Sequence, residues 1–191
     1  VGSGPAGLEC SLQLARRGYQ VTLAESKSQL GGRVLFEAGL KGLAAWKRVV
    51  DNRVHEILQK NNIEIYKESK LTSAHINELE IKNIFIATGS KWRKDGVGRS
   101  RRSPIKGIES VKVFTPEEII QEEQNIKDPV IIYDDGQGYL AGVLADHLSS
   151  KGIDVTFVTP ASVVSPWTES TLEQKRAVSY THLRAHETDS Y

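Results

Sequence analysis

The chain has 191 residues, of which 39% are hydrophobic and 26% are charged, and its formal net charge is +1. This composition is typical of a globular protein with one large or two small domains, and so small a net charge excludes recruitment of nucleic acid or membrane by a global electric field. No apolar run approaches the ~20 residues of a membrane span, and the single cysteine, Cys10, excludes an internal disulfide and cannot by itself hold zinc or an iron–sulfur cluster.

The first seven residues carry the clearest motif. They follow a G-x-G-x-x-G pattern and open an apolar helical run over residues 8–17. In a dinucleotide-binding fold the first glycine allows a tight turn after a strand, the second lets a diphosphate approach the backbone, and the third lets the helix pack close to the sheet. The N-terminal end of the helix then faces the phosphates. The predicted diphosphate-binding residues are Gly2, Ser3, Gly4, Pro5, Ala6 and Gly7.

Residues 19–24 are predicted to form the next strand, and Glu25 stands at its end, about 20 residues beyond the glycines. An acid at this point is expected to accept hydrogen bonds from a nucleotide ribose, with Ser26 beside it. Paired glycines ending at Gly32 indicate a second close approach of backbone to the nucleotide, and Arg33 is expected near a phosphate or a flavin edge. The alternative is a structural glycine turn followed by a solvated acid.

Four elements are predicted after this loop. Residues 46–61 have the apolar spacing of a helix, residues 63–66 read as a short strand, and residues 71–77 are ambiguous. Residues 81–89 read as a buried strand that ends in a turn of small residues. Backbone can pass beside a bound ligand at such a turn, so the candidate ligand-facing residues here are Ala87, Thr88 and Gly89.

The loop over residues 90–107 is basic, with seven lysines and arginines against one acid. Its glycine and proline content argues against a helix. A phosphate contact, an acidic protein partner and a solvated linker all stay open, whereas the near absence of aromatic residues argues against nucleic-acid binding. A helix is predicted from Thr115-Pro116-Glu117-Glu118 to about residue 125, since a capping residue, a proline and two acids favour a helix start.

Residues 130–142 repeat the opening arrangement, in which a β-branched strand meets a glycine-rich turn and a helix. With the predicted helix 139–151 and strand 152–159, they indicate the start of a second βαβ unit. Gly136 and Gly138 are the candidate residues of a second nucleotide site.

Whether this second turn binds NAD(P) is left open by the residues around it. Asp134 and Asp135 place negative charge where phosphates would lie, and the following strand ends in Thr159 rather than in an acid that would hold an NAD ribose.

Both ends of the chain look artificial. The sequence has no methionine and begins one residue before the glycine turn, so we expect a fragment whose first strand is missing. Residues 177–191 resemble a translated sequencing adapter and are set aside as a probable non-native tail. His182 and His186 stand there without a further cluster of ligands, so no metal site is predicted.

The sequence resembles the two-dinucleotide-binding-domain flavoproteins, because two dinucleotide-type units follow each other and the first has paired glycines and an Ala-Thr-Gly strand end. Within that set it is similar to trimethylamine and dimethylamine dehydrogenases, a group that carries an old-yellow-enzyme-like barrel and includes 2,4-dienoyl-CoA reductase. The likeness covers residues 1 to about 176. Its more specific part is carried by Ala87-Thr88-Gly89-Ser90-Lys91-Trp92, Asp95-Gly96, Pro104-Ile105-Lys106-Gly107, Thr115-Pro116-Glu117-Glu118, residues 163–168 and residues 171–174.

The resemblance implies an α/β fold of two truncated Rossmann-like units. Residues 1–126 would form an FAD- or ADP-binding domain that lacks its first strand and C-terminal return, and residues 127–176 would begin an inserted NAD(P)-binding-like domain. FMN and a 4Fe-4S cluster would be bound upstream of this chain. No catalytic residue is assigned, since the residues of the chemical step would lie in the upstream barrel.

The function that the resemblance implies is flavin-dependent oxidation of a small amine, with demethylation or deamination of the substrate and transfer of a hydride to flavin. The alternatives are an NADPH-dependent reductase similar to 2,4-dienoyl-CoA reductase and a non-redox ADP-binding module. The expected partners are an amine, an electron acceptor and further copies of the full-length protein, without nucleic acid or membrane. A cytoplasmic location is expected, and the single cysteine agrees with a reducing compartment.

Overall fold

A computed structural model of the chain describes residues 1–79, 81–121, 126–127, 129–172 and 174. The fold is mixed α/β with parallel strands, as predicted. The chain divides into two compact units, with the boundary along the sequence between Lys91 and Trp92. We call them the first unit and the second unit. Among the described residues, no helix is long and apolar enough to cross a membrane.

The first unit has two strands and four helices among its described residues, together with a 3-10 turn at Ala44–Trp46. In chain order they are α1 (Pro5–Arg16), β1 (Val21–Ala24), α2 (Val34–Glu37), α3 (Lys47–Leu58), β2 (Ile63–Tyr66) and α4 (Ser73–Glu78). The ambiguous segment 71–77 is therefore helical, and Thr72 caps it by accepting a hydrogen bond from the His75 N–H group.

β1 and β2 pair in parallel, with Val21 opposite Ile63 and Ala24 opposite Tyr66. α1 and α3 pack against each other beside this small sheet. The buried cluster that joins them consists of Leu8, Leu12, Leu23, Leu30, Val50 and Ile57. Full burial of each such side chain contributes roughly 1.5–3 kcal/mol, so this cluster fixes the end of β1 relative to the start of α1.

The segment 81–89 does not form the predicted buried strand. Its apolar side chains are largely exposed, and Ile86 keeps 76% of its surface in solvent. Its backbone pairs with the first residue of the chain: the Val1 amino group donates to the Phe85 carbonyl at 2.7 Å, and the Ala87 N–H group donates to the Val1 carbonyl at 2.8 Å. These two hydrogen bonds join Val1 to the segment, and residues 81–89 form no regular strand.

The second unit begins with the basic loop and a 3-10 turn at Ile108–Ser110, and another 3-10 turn lies at Pro166–Thr168. Among its described residues the helices and strands are α5 (Pro116–Ile120), β3 (Val130–Tyr133), α6 (Tyr139–Ser150) and β4 (Val155–Val158). α5 begins as predicted, with reciprocal hydrogen bonds between Thr115 and Glu118. Its predicted end near residue 125 falls at residues 122–125, which lie outside the described residues.

β3, α6 and β4 form the predicted βαβ arrangement, since β3 and β4 pair in parallel with Val130 opposite Val155 and Tyr133 opposite Val158. A buried cluster of Ala145, Leu148, Val155 and Phe157 holds α6 against the strands. The predicted domain limits at residues 126 and 176 stay a prediction, and the tail 177–191 lies outside the described residues.

Candidate nucleotide site

The turn between Val1 and α1 requires glycine at two points. Gly2 has a φ of +93°, and a Cβ atom there would lie 2.5 Å from the carbonyl oxygen of Ala87. A Cβ atom on Gly7 would lie 1.9 Å from the carbonyl oxygen of Gly2. Both distances are far below a van der Waals contact, so backbone packing alone excludes a side chain at these positions.

Gly4 differs from its neighbours because a Cβ atom there would meet no atom within 4 Å. Its backbone is extended, with a φ of −64° and a ψ of 177°, which any residue can adopt. Gly4 is the N-cap of α1, and no side chain caps this helix. Open space therefore lies directly at the N-terminus of a 12-residue helix, where N–H groups and the helix dipole favour an anion.

The paired glycines close one side of this space. The Gly31 N–H group donates to the Ser3 carbonyl at 2.9 Å, which ties the loop to the turn. Gly32 has a φ of +61°, and a Cβ atom there would lie 3.0 Å from the Cα atom of Gly4. The loop backbone therefore lies close to the turn, and any larger residue at Gly32 would crowd it. The expected approach of this loop to a nucleotide stays a prediction.

Glu25 is buried, with 8% of its surface exposed, and its carboxylate points toward the glycine turn. Oε2 accepts from the Ser3 N–H group at 2.9 Å and from the Ser3 hydroxyl at 2.6 Å. Oε1 accepts from the Lys27 N–H group at 2.9 Å and from the Ser26 hydroxyl at 3.1 Å. Burial opposes the charged form, but these four hydrogen bonds outweigh it and hold the pKa of Glu25 below its ordinary value.

Arg33 joins the glycine loop to the segment that follows Ala87-Thr88-Gly89. Its Nη2 atom donates to the Ser90 carbonyl at 2.9 Å, and its Nε atom lies 3.9 Å from the buried carboxylate of Glu37. The guanidinium group is thus held by protein groups, which the sequence did not indicate. Nothing in the local pattern marks the Ser90 carbonyl as its acceptor.

The structure brings most of the predicted first-site residues together. Gly2, Ser3, Gly4, Gly7, Glu25 and Gly32 surround one turn, and Ala87 contacts Gly2. Pro5 is the first residue of α1, and Ala6 is exposed beside it. The Ser26 hydroxyl donates to Oε1 of Glu25. Thr88 and Gly89 follow Ala87 and are exposed.

The second glycine turn, between β3 and α6, is built differently. Asp134 is buried, and its Oδ1 atom accepts from the Gln137 N–H group at 2.8 Å, while Gln137 has a φ of +58°. Gly138 caps α6 and a Cβ atom there would meet no atom within 4 Å, whereas a Cβ on Gly136 would lie 3.7 Å from Asp134 Oδ1. Burial raises the pKa of Asp134, and its Oδ2 atom has no hydrogen-bond partner among the described residues.

Asp135 is held by the basic loop of the same unit. Its carboxylate accepts from the Arg99 and Ser100 N–H groups, the latter at 2.9 Å. The Arg99 guanidinium lies 4.6 Å from the centre of the Trp167 ring. The backbone N–H group of Trp167 donates to the Gln137 carbonyl at 3.2 Å. Loops of the second unit therefore contact Asp135 and Gln137, while the space beside Gly138 is open.

Comparison with known families gives a match to the pyridine nucleotide-disulphide oxidoreductase family over residues 1–180. Dimethylamine dehydrogenase from Hyphomicrobium sp. (strain x) is 34% identical over 180 residues, which are 91% of this chain and 24% of that protein. Cinnamate reductase from Clostridium sporogenes is 30% identical over 158 residues, which are 83% of this chain and 22% of that protein.

Two solved structures are similar over 93% of this chain. The 6-hydroxypseudooxynicotine amine oxidase HisD from Pseudomonas geniculata N1 is 44% identical with a TM-score of 0.88, and 27% of its chain is covered. Histamine dehydrogenase from Rhizobium sp. 4-9 is 43% identical with a TM-score of 0.87, and 28% of its chain is covered. The chain thus spans about a quarter of the length of these relatives.

Proposed function

The chain belongs to the pyridine nucleotide-disulphide oxidoreductase family, and from this premise we propose that its first unit binds the ADP part of FAD, or ADP itself, at the glycine turn. The observation that carries the proposal is the open space at Gly4. Gly2 and Gly7 are enforced by packing, whereas nothing in the fold requires glycine at Gly4. A ligand that must approach the backbone closely is a physical reason for a missing side chain there.

In this proposal the backbone N–H groups of Gly4, Ala6 and Gly7 donate to the diphosphate, since Pro5 has no N–H group, and the helix dipole of α1 adds about half a positive charge at that end. Glu25 accepts hydrogen bonds from the ribose, and its low pKa keeps it ionised for this role. Gly32 and Ala87-Thr88-Gly89 flank the nucleotide, and Arg33 holds the two flanking segments together through Ser90.

For the whole protein we propose a flavin-dependent oxidoreductase that removes a hydride from a small amine. Bound flavin supplies the electron acceptor, and the residues of this chain contribute only the binding of a nucleotide. The similarity to dimethylamine dehydrogenase and to the amine oxidase HisD favours this reading over a reductase. FMN and a 4Fe-4S cluster, a homo-oligomeric state and a cytoplasmic location are part of the same proposal.

The substrate class is tested on the full-length protein by its visible flavin spectrum. Addition of dimethylamine and other small amines in the absence of oxygen should bleach the flavin absorbance. Bleaching by NADPH together with no response to any amine would select the reductase alternative. Extraction of bound nucleotide that yields ADP without FAD or FMN would select the non-redox module.

We propose that the two units are two Rossmann-like units and that the second turn does not hold a diphosphate. The support is that Asp134 already accepts from the Gln137 N–H group and Asp135 lies beside it, so a phosphate would meet two carboxylates. NADPH fluorescence should therefore show no saturable change when this chain is added. Saturable binding that Gly138→Val abolishes would establish a second nucleotide site at Gly136 and Gly138.

A further inference from the structure

Ser3 lies between the first two glycines of the turn, and it is completely buried. Both of its donors, the N–H group and the hydroxyl, bond to the same oxygen of Glu25, at 2.9 and 2.6 Å. The 2.6 Å distance is in the range of a strong hydroxyl–carboxylate hydrogen bond. Two donors on one oxygen leave the carboxylate no freedom to rotate.

The four hydrogen bonds of Glu25 use the four lone-pair directions of a carboxylate. A ribose hydroxyl can therefore bond to Glu25 only if one of the present donors gives way. Ser26 is the candidate for replacement, because it is exposed and its hydroxyl makes the longest of the four bonds, at 3.1 Å. Once displaced, the exposed Ser26 hydroxyl can bond to water, whereas the hydroxyl of the fully buried Ser3 cannot.

We infer that Ser3 is a positioning residue, which locks Oε2 of Glu25 inside the turn and presents Oε1 to the nucleotide sugar, while Ser26 holds Oε1 until the sugar arrives. This inference rests on the proposed ADP site and adds to it the oxygen that the ribose uses. The two serines that contact Glu25 thus have opposite roles: one orders the carboxylate and the other competes with the ligand.

The test compares calorimetric titrations of ADP and of 2′,3′-dideoxy-ADP into the wild-type chain, Ser3→Ala, Ser3→Gly and Ser26→Ala. Loss of the Ser3 hydroxyl should weaken ADP binding by about tenfold, because it removes a hydrogen bond to a charged group. Binding of 2′,3′-dideoxy-ADP, which lacks the sugar hydroxyls, should change by less than about twofold. Ser26→Ala should bind ADP at least as tightly as the wild type.

Ser149→Ala, an exposed substitution on α6, is the matched control and should change neither titration. Thermal unfolding identifies any Ser3 variant that fails to fold, and Ser3→Gly is a second variant that, like Ser3→Ala, removes the hydroxyl and keeps the backbone N–H donor. Equal losses for both nucleotides in the Ser3 variants, no loss in either Ser3 variant, or a loss in Ser26→Ala would overturn the inference.

A measurement without nucleotide separates failure of the inference from failure of the proposed function. Nuclear magnetic resonance titration of Glu25 should give a higher pKa in Ser3→Ala than in Ser26→Ala. If the wild type binds no ADP while this order holds, the proposed ADP site is wrong, but Ser3 still orders the Glu25 carboxylate. If the order is reversed, Ser3 does not lock the carboxylate.

Discussion

At the scale of single residues, Glu25 makes the stability of the first unit depend on pH. Its pKa is lowered in the folded state, so its contribution to stability is present above the ordinary carboxyl pKa of about 4.3 and is lost as pH falls through the folded pKa. Glu25→Gln should therefore reduce the free energy of unfolding by about 1–3 kcal/mol near pH 7. Urea unfolding should show this difference shrinking below about pH 4.

Glu64→Gln is the control for this measurement, because Glu64 is an exposed acid on β2 of the same unit. It should change the unfolding free energy little at either pH. A Glu25→Gln difference that stays constant from neutral to acid pH would show that the charge of Glu25 does not stabilise the turn.

Gly7 is expected to tolerate no side chain. In Gly7→Ala the new methyl group would lie 1.9 Å from the Gly2 carbonyl, so α1 or the turn must move. The loss of stability should reach about 3 kcal/mol or prevent folding. Gly4→Ala is the matched comparison by thermal unfolding and should fold normally, since its methyl group enters open space. Equal melting temperatures for both variants would contradict the packing described for Gly7.

At the scale of elements, the two turns before α1 and α6 use carboxylates in opposite ways. Burial raises the pKa of Asp134, so ionisation of this group costs the folded state stability, and this cost appears as pH rises through the folded pKa. Asp134→Asn keeps the acceptor for the Gln137 N–H group and removes a buried charge. We expect it to stabilise the second unit by about 1 kcal/mol near pH 7 and by less at acid pH.

Asp135→Asn is the control at the neighbouring carboxylate, and we expect it to change the free energy of unfolding in the opposite direction. Burial opposes the charge of Asp135, but hydrogen bonds from Ser100 and Arg99 outweigh it and lower its pKa. Loss of this charge should destabilise the second unit at neutral pH, as measured by urea unfolding. If both substitutions shift stability in the same direction, the two carboxylates do not play the separate roles that their hydrogen bonds indicate.

Elements with strong local signals were predictable from the sequence. α1, β2, α5 and α6 begin within a few residues of their predicted starts, because capping residues, glycine turns and apolar spacing act over short distances. The segment 81–89 was predicted wrongly because a buried strand needs neighbours on both sides, and its pairing with Val1 extends over one residue. Local sequence cannot supply that information.

Only part of the candidate site could be predicted from the sequence. The glycine pattern and Glu25 were visible in the sequence because their spacing reflects the turn itself. The hydrogen bonds from Ser3 to Glu25 and from Arg33 to Ser90 were not, because they join residues 22 and 57 positions apart. Such long-range partners depend on how β1 and the segment after residue 81 are placed by packing.

At the scale of the whole molecule, the described residues of each unit form a two-stranded parallel sheet. A sheet of this size gains stability by packing against helices, and α1 with α3 in the first unit and α6 in the second provide that packing. The chain spans about a quarter of the length of its relatives, and the oxidation of an amine is a proposal for the whole protein. Nucleotide binding is the part of the proposed function that this chain can be tested for directly.

The most direct test of the account is a calorimetric titration of ADP into the wild-type chain, Gly4→Val and Gly138→Val. Both glycines cap a helix, and a Cβ atom on either meets nothing within 4 Å, so both variants should fold. We predict saturable ADP binding to the wild type and to Gly138→Val, and a loss of at least about a hundredfold in Gly4→Val, because its side chain would fill the diphosphate space. Unchanged ADP affinity in a folded Gly4→Val variant would contradict the proposed site.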